Sequence, residues 1–133
     1  MKTLTISPTL SHMEQALAFV ESALRAQGCP SAVTGKLCVA ADELLSNIAR
    51  HSGATEATIV CDTQSETAKL VFLDNGASFD PTAVAEPDTT LSATERKLGG
   101  LGVLMVRRMT TGMAYERRDG LNVLTVWKDF ANE

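Results

Sequence analysis

Apolar and polar positions change their spacing several times along the chain, and each change marks an element. "KTLTIS", residues 2 to 7, alternates with the period of a half-buried strand, and Pro8 closes it. Met13, Leu17, Val20 and Leu24 then recur at helical intervals as far as "QGCP" at residues 27 to 30, and Ser11 with Glu14 has capping-box spacing at that helix's start. Ser31 is placed to cap a second helix. Its stripe of Leu37, Ala41, Leu44 or Leu45, and Ile48 predicts an inward face, while Lys36, Glu43, Asn47 and Arg50 fall on or beside a polar one.

"ATEATIVCDT" and "TAKLVFLD", rich in Val, Ile, Thr and Phe, predict a hairpin joined by the polar "QSE" turn. Residues 77 to 98 show no sustained period and contain Pro81 and Pro87; a stretch of that length inside a compact domain is usually a binding loop or lid. "GGLGVLMVRRM" opens a helix at a glycine cluster, and "GMAYERRDGLNVLTVWK" predicts a second hairpin turning at Asp119-Gly120. Strand, two helices, hairpin, lid, helix and hairpin in that order predict an α+β fold, with helices on one face of a mostly antiparallel sheet. No repeat or internal linker interrupts it, so residues 1–133 read as a single domain.

Composition narrows the function classes. With 44% hydrophobic and 21% charged residues the chain is long enough to bury a core without disulfide or metal staples. Its net charge of -4 argues against a phosphate-backbone footprint, so neither DNA nor RNA is expected as the main ligand. The N-terminus lacks the apolar core of a signal peptide and no stretch reaches membrane-spanning length, which predicts a cytoplasmic protein. Cys29, Cys38 and Cys61 have neither zinc nor redox spacing and read as buried thiols; His12 reads as surface.

Three motifs carry candidate chemistry. Glu43 and Asn47 stand one helical turn apart, so carboxylate and carboxamide project side by side. An amide oxygen with ligand phosphates suits magnesium, and the carboxylate could polarise a hydroxyl or water; the same pair also suits a plain solvated face. In "LDNGASFDP", Asp74 ends an apolar strand where its carboxylate could accept a purine amino proton, and Gly76 permits close backbone approach, although Asn-Gly is also an ordinary tight turn. In "LGGLGV", glycines opening a helix expose N–H groups suited to phosphate, without the lysine of a P-loop.

In combination and order, across about residues 35 to 128, these motifs resemble the GHKL ATPase superfamily. Within it, "AADELLSNIARHS", "DNGASFDP", "GGLGVLMVRRM" and "YERRDGLNVLTV" look like the bacterial anti-sigma-factor serine/threonine kinases of partner-switching systems. The resemblance implies the Bergerat ATP-binding sandwich, with ATP or ADP and Mg2+ as cofactors. Glu43 would match the general base, Asn47 the magnesium ligand, Asp74 the adenine contact and Gly76 its backbone neighbour. Gly100, Leu101 and Gly102, with Val103 after them, would match the phosphate-wrapping turn, residues 77 to 98 the ATP lid, and His51 would line the nucleotide site or simply end the helix. Two positions depart from the pattern: Leu121 and Asn122 follow Gly120 where many members carry threonine, and Leu98 stands where some carry an arginine, leaving Arg96 or Lys97 as substitutes.

The resemblance further implies two protein partners: a small STAS-type antagonist that is phosphorylated on serine or threonine, and an RNA polymerase sigma factor that is sequestered. It also implies a homodimer, for which the first strand and helix offer an edge and an apolar surface. The competing reading is a non-catalytic ATP-binding module that grips or releases a partner, in which Glu43 is dispensable. A hydrolysing conformational switch of the larger superfamily type lacks its transducer domain here.

Overall fold

The computed structural model of the protein describes residues 1–83 and 101–130. Five strands form one antiparallel sheet in the spatial order β1, β2, β3, β5, β4. They are β1 (Lys2–Ile6), β2 (Ala57–Gln64), β3 (Thr67–Asp74), β4 (Gly112–Arg118) and β5 (Leu121–Asp129). Among the described residues three helices, α1 (Met13–Ala26), α2 (Ser31–Asn47) and α3 (Leu101–Met109), complete a two-layer α+β fold in which α2 packs against both α1 and α3. None of the described helices is long and apolar enough to cross a membrane.

The register explains where the core lies. Leu4, Ile59, Phe72, Leu124 and Tyr115 form one row across all five strands. With a side-chain period of two, that row and its neighbours face the helices together. Ile59, Leu70, Phe72 and Val126 accordingly join Val20, Leu24, Leu37 and Leu45 in a single buried cluster. Two positions along, Ile6, Ala57, Asp74, Asn122 and Arg117 form a parallel row. Its apolar half is core and its polar half is where the sheet becomes a site.

Both predicted hairpins form. Asp119 and Gly120 take φ of 54° and 78°, the left-handed pair that a two-residue turn matched to strand twist requires. Ser65 and Glu66 make the same kind of turn at φ 51° and 64° without a glycine. The predicted caps do not form. Thr9 begins a 3-10 turn at Leu10–His12 that runs into α1, so Ser11 sits inside the turn, its hydroxyl paired with that of Thr9 at 2.9 Å. Ser31 is already helical, with Pro30 before it as the extended cap residue. A proline at that point sets the chain direction and leaves no place for a serine cap.

The expectation of buried thiols holds for Cys29 and Cys61, whereas Cys38 is only half-buried; all three are free. Burial is the main cause that pushes the Cys61 thiol up to about 12. Gln27, just after α1, uses its side-chain amide as though it were backbone. Its Nε2 donates to the carbonyl of Cys61 at 3.0 Å, and its Oε1 accepts the N–H of Thr63 at 2.7 Å, where β2 outruns the five residues of β1. Hydrogen bonds of this partly buried kind each contribute about 0.5–1.5 kcal/mol.

Candidate functional site

α2 does not stop at Asn47. It widens into a π-turn over Ile48–Ser52 before Gly53 ends it at φ 69°. π-turns are uncommon and often accompany functional sites. Here the turn carries the end of the helix over the polar half of the sheet row. Ser52 is held by its own hydroxyl, which donates to the carbonyl of Ile48 at 2.8 Å and accepts the N–H of Ala54 at 3.0 Å. Its carbonyl in turn accepts the N–H of Ala77 at 2.8 Å.

Between this turn and strands β3, β5 and β4 lies a recess of about 160 Å³. A cavity of that order accepts one aromatic ring system. Leu44, Ile48, Phe72 and Leu124 give it an apolar lining, and Asn47, His51, Asp74 and Asn122 add polar groups. Phe79, Pro81 and Tyr115 line it as well, and Phe79 remains 43% exposed. The combination of an apolar slot with a few convergent polar atoms is typical of small-molecule sites.

Asp74 is only 5% exposed. One carboxylate oxygen, Oδ1, accepts the N–H of Gly76 at 2.9 Å and the amide of Asn122 at 3.1 Å. A carboxylate has two oxygens, so Oδ2 is left to accept from a ligand. Gly76 is required for a reason other than turn geometry, because its φ is not positive. A Cβ there would stand 2.5 Å from the carbonyl oxygen of Ser52 and 2.6 Å from its Cβ. The tight Asn-Gly hairpin is therefore not what "DNG" makes. Asn75 instead ties down the preceding loop, its Oδ1 accepting the N–H groups of Thr55 and Glu56 at 2.9 and 3.1 Å.

The predicted residues fall into two groups. Asn47, His51 and Asp74 come together around the recess, with Gly76 directly behind Asp74. Glu43 does not line it: its carboxylate lies against Gly102 in the first turn of α3, where any Cβ on residue 102 would overlap Glu43 Oε2. Val103 is 1% exposed and is not part of the recess lining. Gly100, Leu98, Arg96, Lys97, the side chain of Leu101 and the part of the expected lid from residue 84 to 98 lie outside the described residues.

Sequence reasoning missed Asn122, Tyr115 and Ser52 as members of the site. Asn122 was singled out only as a departure from a threonine pattern, yet it is buried and stands opposite Asp74 in the sheet. The alternation of β5, in which Asn122, Leu124 and Val126 share a face, was the available sign.

Among the described residues no cluster of three histidines, cysteines or carboxylates is arranged to hold a metal ion. The donor chemistry beside the recess is the carboxamide of Asn47, with Glu43 one turn earlier. That set fits a magnesium ion held mostly by phosphate and water, with few protein ligands.

The sequence pattern of the histidine kinase-like ATPase domain matches residues 6–128. The chain belongs to the histidine kinase-like ATPase family. The serine/threonine-protein kinase BtrW of Bordetella bronchiseptica is 31% identical over 135 residues that cover 98% of this chain and 95% of BtrW. The SiaB–SiaC complex from Pseudomonas aeruginosa contains a chain of the same fold, with a TM-score of 0.63 at 13% identity, covering 98% of this chain and 89% of that one. A Mycobacterium tuberculosis structure of RsbU and RsbW domains aligns with a TM-score of 0.63 at 14% identity, covering 97% of this chain and 32% of that longer one. The expected two-layer ATPase fold is thereby established.

Proposed function

We propose that the protein is an ATP-dependent serine/threonine protein kinase and anti-sigma factor of the partner-switching type. One observation carries this reading: a purine-sized recess, with Asp74 aimed into it, opens beside a helix that bears Asn47 and Glu43, and Glu43 abuts the first turn of α3. The name of BtrW as a serine/threonine-protein kinase supports the class of reaction.

In this reading the adenine ring enters the recess and donates its amino proton to Asp74, and the phosphates run toward α3. Asn47 would hold Mg2+, whose charge would offset that of the phosphates. Glu43 takes the proton of the partner's serine or threonine hydroxyl. That oxygen then bonds to the γ-phosphorus, the bond from the γ-phosphorus to the β,γ-bridging oxygen breaks, and ADP leaves. The phosphorylated partner is a small STAS-type antagonist, and the protein holds a sigma factor when the antagonist is not engaged.

Calorimetry with ATP and ADP in the presence of magnesium tests the foundation, and absence of binding would sink it. Asp74→Asn is the sharper form of the test. Its oxygen can keep the bonds from Gly76 and Asn122, but an NH2 donor then faces the ligand's own amino group, and affinity should fall about 10- to 100-fold. Unchanged ATP binding by Asp74→Asn would remove Asp74 from the site.

A non-catalytic nucleotide-gated module is the second reading, in which Asn47 and Asp74 keep their places at the recess and Glu43 only packs against Gly102. A homodimer belongs to both readings. β1 is an edge strand, and Leu10, ahead of α1, is 66% exposed. Light scattering at micromolar concentration should give about twice the 14.2 kDa chain mass. A mass at the monomer value rules the stable dimer out.

A further inference from the structure

Asn122 is 5% exposed, and every hydrogen-bonding position of its side chain is used. Nδ2 donates to Asp74 Oδ1 at 3.1 Å and to the carbonyl of Ala77 at 2.8 Å. Oδ1 accepts the hydroxyl of Tyr115 at 2.6 Å and the N–H of Phe79 at 3.3 Å. A carboxamide has two donor hydrogens and two acceptor lone pairs, so nothing remains for a ligand. The residue lines the recess without being free to read what enters it.

We propose that Asn122 is a positioning residue of the base recess, holding the carboxylate of Asp74 and the backbone of Ala77 and Phe79 in one fixed arrangement. The proposal rests on the nucleotide reading above and deepens it. Asp74 accepts from the ligand through one oxygen because Asn122 and Gly76 hold the other. Phe79 lines the recess where it does because its N–H is tied to the same carboxamide. A hydroxyl side chain offers one hydrogen and cannot donate to both Asp74 and Ala77 at once. Asparagine therefore links the recognising carboxylate and the adjoining segment through one group. Tyr115, which also lines the recess, holds that group through its hydroxyl, and Ser78 Oγ lies 3.3 Å from the same hydroxyl.

The consequence is selectivity. A fixed carboxylate accepts from a 6-amino purine and repels a 6-oxo purine; one that can swing away does neither well. The experiment compares calorimetric affinities for ATP and inosine triphosphate in the wild type, Asn122→Ala and Tyr115→Phe, with hydrogen exchange at the Phe79 amide. Asn122→Ala should bind ATP about tenfold more weakly, since one buried network is lost. Its preference for ATP over inosine triphosphate should shrink, and the Phe79 amide should exchange faster. Tyr115→Phe removes only the hydroxyl, keeps the ring and should move all three in the same direction by about two- to fivefold; it decides the matter if Asn122→Ala does not fold. A merely structural Asn122 lowers thermal stability and leaves the preference unchanged, and that result overturns the proposal. A wild type that binds neither triphosphate overturns the nucleotide reading and the proposal together, whereas a wild type that binds ATP beside variants of equal preference overturns the proposal alone.

Discussion

Glu43→Gln should lower phosphoryl transfer to the antagonist's serine or threonine about 10²- to 10⁴-fold, the range lost when a general base is removed. ATP affinity should change little, because Glu43 is outside the recess lining. The amide keeps the size of the carboxylate and still fits against Gly102, where a larger neighbour would not. Asn47→Ala should behave differently: it removes an oxygen that lines the recess, so nucleotide binding with magnesium and transfer should fall together. Labelled-phosphate transfer beside calorimetric affinity separates the two. Full transfer by Glu43→Gln would end its assignment as base, and a wild type with no transfer to its antagonist, combined with intact nucleotide binding, would favour the non-catalytic module.

Gly76→Ala should produce a large loss of stability. The new methyl would fall 2.5 Å from the carbonyl oxygen of Ser52, and that oxygen is fixed because it accepts the N–H of Ala77 at 2.8 Å. Overpacking of this kind costs about 1–3 kcal/mol, which for a chain of this length lowers the melting temperature by roughly 4 to 10 °C. Nucleotide affinity should fall as well, since the N–H of Gly76 is one of the two donors that fix Asp74 Oδ1. Thermal unfolding of the purified variant checks the first effect and calorimetry the second. An unchanged melting temperature would mean that Ser52 moves freely, contrary to the bonds that hold it.

The readable parts of the molecule were those governed by local periodicity. β2 and β3 announce themselves by alternation and β-branched residues, and the inward stripe of α2 is visible in Leu37, Ala41, Leu44 and Leu45, all of them buried. Asp74 could be placed at a strand end for the same reason. What could not be read is pairing between elements far apart in sequence. Asp74 faces Asn122 only because β5 inserts between β3 and β4, a choice of strand order that no local pattern encodes. Gly76 illustrates a subtler failure: its type suggested a turn or a ligand's approach, whereas the approaching group is Ser52 from the end of α2. The capping expectations failed because Thr9 and Pro30 redirect the chain one or two residues before the serines that looked like caps.

Gln27 has a consequence beyond the two bonds it makes. Past the start of β1, the outer side of β2 is open backbone, the kind of edge on which another extended chain can pair. Proteins commonly discourage such pairing with charge, proline or a bulge. Here the carboxamide at the end of a helix occupies the donor at Thr63 and the acceptor at Cys61 itself. An intruding strand would have to displace a tethered group that is always at hand, so the sheet is kept from growing at this corner by competition rather than by repulsion, and α1 serves as a stopper for the layer on which it rests.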